Sequence, residues 1–165
     1  MARRKIVLFG EPILREKAKR VRNFDKELKI LVQDMLETMR QADGIGLAAP
    51  QIGIPLRVTV IEVPEEDPIV LVNPEVVEQQ GQRQCSEGCL SYPGYRGVTN
   101  RSELVRVKAL DVNGEKLRIK ADGLLAQALE HEIDHLNGIL YTDVLIDKNK
   151  IYRTDMLPED GQPES

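Results

Sequence analysis

The sequence predicts an α+β fold in a single domain, with antiparallel β-sheets packed around a central helix. Three observations predict it. The chain has 165 residues, the length of one domain and enough to bury about 70% of its unfolded surface without a disulfide or metal staple. Strand-like runs are grouped ahead of one central helix, the order of an α+β rather than an alternating α/β chain. An Asn113-Gly114 pair between two of those runs marks a tight antiparallel hairpin.

Taken in order, the start through Ala18 reads as irregular. From Asp25, an N-cap candidate, to about Gln41, the residues Leu28, Leu31, Val32, Met35, Leu36 and Met39 keep a helical period. GIGLAAPQIGIP follows, a loop whose glycines and prolines forbid a continuous helix. Strands are expected over 57–63, 69–77, 104–111 and 115–120. After Asp122, a second cap candidate, another helix runs to about Leu136 and is ended by Asn137-Gly138. Past Leu157 the chain is acidic and contains proline. The domain is therefore expected over 1–157, with a disordered acidic tail over 158–165.

Composition narrows the function. The chain is 41% hydrophobic and 30% charged, with a formal net charge of −4, so it carries no electrostatic footprint for nucleic acid. The locally basic start, Arg3 to Arg22, reads as a solvated surface. No apolar run is long enough for a membrane span, and the start lacks a signal-peptide core. Two cysteines, Cys85 and Cys89, are too sparse for a secreted disulfide scaffold. A cytoplasmic protein is expected.

Chemistry gathers in the second helix. The only two histidines, His131 and His135, stand four apart in HEIDH. On a helix that spacing puts both rings on one face, able to close on one metal ion. Glu132 lies about 100° further round, placed to reach water on that metal but poorly placed as a third ligand. The same wheel sets Leu124 and Ala128 on the histidine arc. Leu125, Leu129, Ile133 and Leu136 fall on a core arc, and Glu130, Asp134 and Asn137 on a solvent arc. The helix is thus a metal-binding wall of a pocket, with Gln127 at its wetter rim.

A catalytic metal needs a third protein ligand and an open position for water. With no further histidine, that ligand is a carboxylate or a cysteine. Two rival arrangements fit the spacing: a zinc peptidase with a glutamate as third ligand, and a closed structural site in which Cys85 and Cys89 join both histidines. Cys89 differs from Cys85 in context, because Gly88 before it lets backbone approach a ligand closely.

GIGLAAPQ (44–51), EGCLS (87–91) and HEIDH (131–135), in that order and spacing, resemble the three signature motifs of the peptide deformylases. The likeness spans nearly the whole chain, from about Ile6 to Val144. It implies a metal-dependent hydrolase that removes the formyl group from the N-terminal formylmethionine of newly made proteins, through water attack at the metal. It implies Cys89, His131 and His135 as metal ligands and Glu132 as general acid/base, with Gln51 and the Leu90 N–H facing the substrate carbonyl. Ferrous iron is the implied native ion, with zinc, nickel or cobalt able to substitute. Cys85 matches no ligand of the family and reads as a free thiol.

The methionine side chain is expected beside His131, against Ile45, Leu124 and Ala128. Glu87 and Arg96 are expected near it as an ion pair bracing the loop. Gly44 and Gly46 allow the substrate main chain to run alongside like an added strand. The implied partners are N-formylmethionyl nascent polypeptides, with transient proximity to the ribosome and neither direct nucleic-acid binding nor membrane contact. Gln127 stands where an apolar residue is expected, and Tyr92 is a variation without an evident consequence.

Overall fold

A computed structural model describes residues 2–154 of the chain. The tail expected over 158–165 lies outside the described residues. Two helices and eight strands carry the fold among the residues described, with short 3-10 turns between them. Helix α1 (Lys26–Gln41) starts at Asp25, whose carboxylate accepts the Leu28 N–H at 3.0 Å. Strand β1 (Gly46–Ala48) follows and runs into a 3-10 turn over Ala49–Ile52. Then come β2 (Val58–Ile61) and β3 (Ile69–Gln80). Strands β4 (Arg83–Cys89) and β5 (Tyr92–Arg101) make a hairpin. Strands β6 (Leu104–Leu110) and β7 (Lys116–Asp122) make another, turning at the Asn113-Gly114 pair. Helix α2 (Gly123–Leu136) comes next, and β8 (Ile151–Arg153) ends the described fold. Asp122 caps α2 by backbone position alone, since its side chain makes no capping bond.

Two antiparallel sheets result: β1-β2-β3-β6-β7, and β4-β5-β8. Strand periodicity explains the larger one. Val105, Val107 and Ala109 point inward while Arg106 and Lys108 point to solvent, and the β6–β7 register pairs Val107 with Ile119. Strand β2 is buried at every position, because helices cover both of its faces. Val58 and Val60 pack with Leu31, Met35 and Met39 of α1, whereas Ile61 packs with Leu129 and Ile133 of α2. Helix α2 also contacts β5 and so lies between the two sheets.

That placement corrects the expected solvent arc of α2. Glu130 is buried: its carboxylate accepts from the Ser102 N–H and hydroxyl, both at 2.7 Å, and from Gln79 Nε2 at 2.5 Å. Asp134 pairs with Arg101 at 2.8 Å. Two of the three residues on that arc are polar because they meet protein donors: Glu130 from Gln79 of β3 and Ser102 of the β5–β6 connection, and Asp134 from Arg101 of β5. Asn137 is exposed as expected. The expected strands form with shifted ends, while β1, β4, β5 and β8 lie in segments where no strand was expected.

Candidate metal centre

Helix α2 brings His131 and His135 onto one face, their rings 4.9 Å apart centre to centre. The end of β4 delivers Cys89 to the same point, with its Sγ 3.3 Å from His135 Nε2. One donor atom each from Cys89, His131 and His135 lie within 4.8 Å of one another. In a tetrahedral site with metal–sulfur and metal–nitrogen bonds of about 2.3 and 2.0 Å, such donors stand about 3.5 Å apart. The spacing suits one cation. Among the described residues neither Cys85 nor any carboxylate joins this group. Cys85 is buried four residues back along β4, its thiol 3.9 Å from the Arg83 carbonyl and its pKa pushed up by burial. The closed four-ligand site and the glutamate-ligand site both lose their geometry here.

Surrounding groups orient both histidines. His131 Nδ1 lies 2.6 Å from Glu87 Oε2. Glu87 is deeply buried, and burial alone would raise its pKa. Arg101 and His131 outweigh burial and hold it well below the usual carboxylate range. An anionic carboxylate only accepts hydrogen bonds, so Nδ1 carries a proton and Nε2 is the nitrogen turned inward. Arg101 grips Glu87 through two nitrogens and Asp134 through a third, and Thr99 donates to Glu87 at 3.0 Å. His135 Nδ1 is buried without a protein partner, and burial pushes its pKa well down, which favours the neutral ring a metal needs.

Glu132 completes the centre. Its Oε2 is 4.0 Å from His131 Nε2, and its Oε1 is buried without a hydrogen bond. Burial, its largest influence, lifts its pKa from 4.5 to about 7 against the pull of His131. A carboxyl poised near neutrality can take and return a proton. Glycine at 46 makes room for it, since a Cβ there would fall 2.5 Å from Glu132 Oε2. At Gly44 a Cβ would meet the Leu90 side chain at 2.6 Å.

A cavity of about 500 Å³ opens over these groups. Every expected site residue lines it except His135, which lies behind: Gly44, Ile45, Gly46, Gln51, Glu87, Gly88, Cys89, Leu90, Arg96, Leu124, Ala128, His131 and Glu132. Gln51 is almost fully buried in the 3-10 turn. Its Oε1 accepts the Ala48 N–H at 2.9 Å, and its Nε2 donates to Ser91 Oγ at 3.0 Å and points at Cys89 Sγ at 3.4 Å.

The expected Glu87–Arg96 pair is not made. Glu87 is opposite Gly97 in the β4–β5 register. Residues 97, 99 and 101 therefore share its face, while Arg96 emerges on the other. Arg96 instead donates to Ser86 Oγ and to the Ser86 carbonyl, each at 3.0 Å. Gln127 at the rim donates to the same carbonyl at 3.0 Å, so its polarity braces β4. Tyr92 lies between Phe9 and Tyr95 in a parallel stack, at 4.8 and 4.5 Å, and both tyrosines line the cavity wall. Sequence reasoning missed Tyr95, Arg101 and Ser91. Pro93 and Gly94 of SYPGYRG lie inside β5, and the hairpin turns one step earlier at Leu90–Ser91, so the local sequence gave no strand signal for the first. Nothing local marks the other two.

Comparison with known proteins follows the same lines. The sequence pattern of the polypeptide deformylase family matches residues 3–150. A peptide deformylase of Dehalococcoides mccartyi is 49% identical over 165 residues, covering 99% of this chain and 98% of that protein. The crystal structure of a Legionella pneumophila peptide deformylase superposes with a TM-score of 0.85 at 49% identity, over 87% of this chain and 86% of that one. A Synechococcus elongatus peptide deformylase, solved with actinonin, superposes with a TM-score of 0.85 at 44% identity, over 90% of this chain and 86% of that one.

Proposed function

This chain belongs to the peptide deformylase family, and from that premise we propose which of its residues perform the reaction. The protein is a metal-dependent hydrolase that removes the N-terminal formyl group from formylmethionine of newly synthesised proteins. Cys89, His131 and His135 hold the metal. Ferrous iron is the native ion, with zinc, nickel or cobalt able to replace it; a thiolate with two imidazoles suits all of these borderline cations. Bound there, a divalent cation supplies Lewis acidity and lowers the pKa of water from 15.7 toward about 7.

The chain's own groups do the rest. Glu132 takes a proton from the attacking water and passes it to the departing methionine nitrogen, leaving formate and a free amine. Its pKa near 7 and its unpartnered Oε1 support that role. The Gln51 amide and the Leu90 N–H hold the charge that develops on the formyl oxygen. Ile45, Leu124 and Ala128 flank His131 and take the methionine side chain. Strand β1 ends the five-stranded order, so its outer edge is open to the substrate main chain as an added strand.

The substrates are N-formylmethionyl nascent chains, which brings the enzyme transiently near the ribosome. The bacterial relatives support a cytoplasmic setting. No helix among the described residues is long and apolar enough to cross a membrane.

The observation that carries this reading is the Cys89–His131–His135 cluster with Glu132 buried beside it. Anaerobically prepared protein should release formate from formyl-Met-Ala-Ser and leave the acetylated peptide intact. Absence of formate from fully metal-loaded protein would sink the proposal. Iron-loaded enzyme should lose activity in air faster than under nitrogen as iron or Cys89 oxidises; equal half-lives would remove iron from the assignment.

A further inference from the structure

Ser91 closes the EGCLS motif without a role. It is fully buried and absent from the cavity wall. Resting on the reading above, we infer that Ser91 is a positioning residue: its hydroxyl holds the Gln51 carboxamide so that N–H, not C=O, faces Cys89 and the formyl oxygen.

The amide has one stable orientation. Oε1 takes the Ala48 N–H at 2.9 Å, so a flipped amide would set its NH₂ against a backbone donor and leave both groups unpaired. Of the two Nε2 protons, one goes to Ser91 Oγ at 3.0 Å, which leaves the other for Cys89 Sγ at 3.4 Å or for substrate. The backbones of both residues are fastened to one segment, with Val7 N donating to the Gln51 carbonyl at 2.7 Å and Phe9 N to the Ser91 carbonyl at 2.9 Å. Serine and glutamine are thus held in fixed register by chain that takes no part in the chemistry.

Only the last side-chain torsion of Gln51 is soft, since rotations about such sp³–sp² bonds are broad. The Ser91 hydroxyl stops that rotation. Without it a buried N–H loses its acceptor, and the donor turns away from the place where negative charge develops. Misplacement of such a group by about 1 Å can cost up to about 10²-fold in rate.

The test is a double-mutant cycle on the metal-loaded enzyme with formyl-Met-Ala-Ser. Ser91→Ala should lower kcat by about 10- to 100-fold with little change in KM, and should cause no further loss in a Gln51→Ala background. Ser91→Thr, which keeps the hydroxyl, should recover most of kcat. In the cobalt-loaded protein, Ser91→Ala and Gln51→Ala should move the sulfur-to-metal absorption band the same way, as the N–H leaves the sulfur. Equal losses in both backgrounds, an unchanged kcat in Ser91→Ala, or a band that moves only in Gln51→Ala would each overturn the inference. If the parent enzyme releases no formate, the functional reading fails, and the cobalt spectrum alone still decides the Ser91–Gln51–Cys89 link.

Discussion

The two sheets are held by different forces. In β1-β2-β3-β6-β7 the side chains that pack on α2 are apolar: Leu71, Val105 and Val107 lie against Leu129 and Ile133. In β4-β5-β8 the buried side chains that reach α2 are polar: Glu87, Thr99 and Arg101 bond one another, His131 and Asp134. Non-directional packing tolerates small errors of position, whereas hydrogen bonds set angles and protonation. The difference teaches a division of labour: the apolar sheet makes the fold stable, and the polar sheet aims the side chains proposed to hold the metal.

The largest effect should come from the polar side. Glu132→Ala should keep fold and metal yet lose about 10²–10⁴ in turnover; metal loss measured in parallel would mean Glu132 is structural.

Arg101→Leu comes next. It strands Glu87 and Asp134 against α2 without a cation, and breaking a buried pair in this way costs about 3–5 kcal/mol. Metal affinity, read by competition with a chelator, should also fall about 10- to 100-fold, because Glu87, which orients His131, loses its anchor. Native affinity in this variant would erase the contrast between the sheets.

Leu71→Ala sharpens it from the other side. The residue is fully buried in the apolar sheet, so denaturant unfolding should report about 2–5 kcal/mol lost. Metal content and turnover per folded molecule should hold.

The smallest effect should be Cys85→Ala, which sits on the polar sheet but outside the ligand group. Metal stoichiometry and kcat should match the parent, and loss of the ion on this change would revive the closed four-ligand site.

Legibility in the sequence follows the same division. The β6–β7 hairpin and both helices were readable because their signals are local: alternation, a turn pair, an apolar period and an Asn-Gly stop. Strands β4 and β5 were not, because their buried residues are polar or small and show no apolar alternation, and β8 is only three residues long with none of them buried. Glu130 misled the helix wheel for that reason, reading as solvent-facing while Ser102 and Gln79 were waiting for it. Arg96, nine residues from Glu87, looked the natural partner, yet strand alternation turned it to the opposite face.

What the chain determined by itself is the pair of imidazoles, since a helical turn sets the His131–His135 spacing wherever the helix lies, and the glycines at 44 and 46 that leave room beside Leu90 and Glu132. The EGCLS likeness had singled out Cys89 over Cys85, but only the tertiary structure brought its sulfur to the imidazoles. It alone decided that Arg101 anchors Glu87 and that Ser91 stands over Gln51. Those contacts join residues 14 to 46 positions apart. Their geometry is set by strand register and by the docking of α2 between the sheets, and neither leaves a periodic trace in the local order of amino acids.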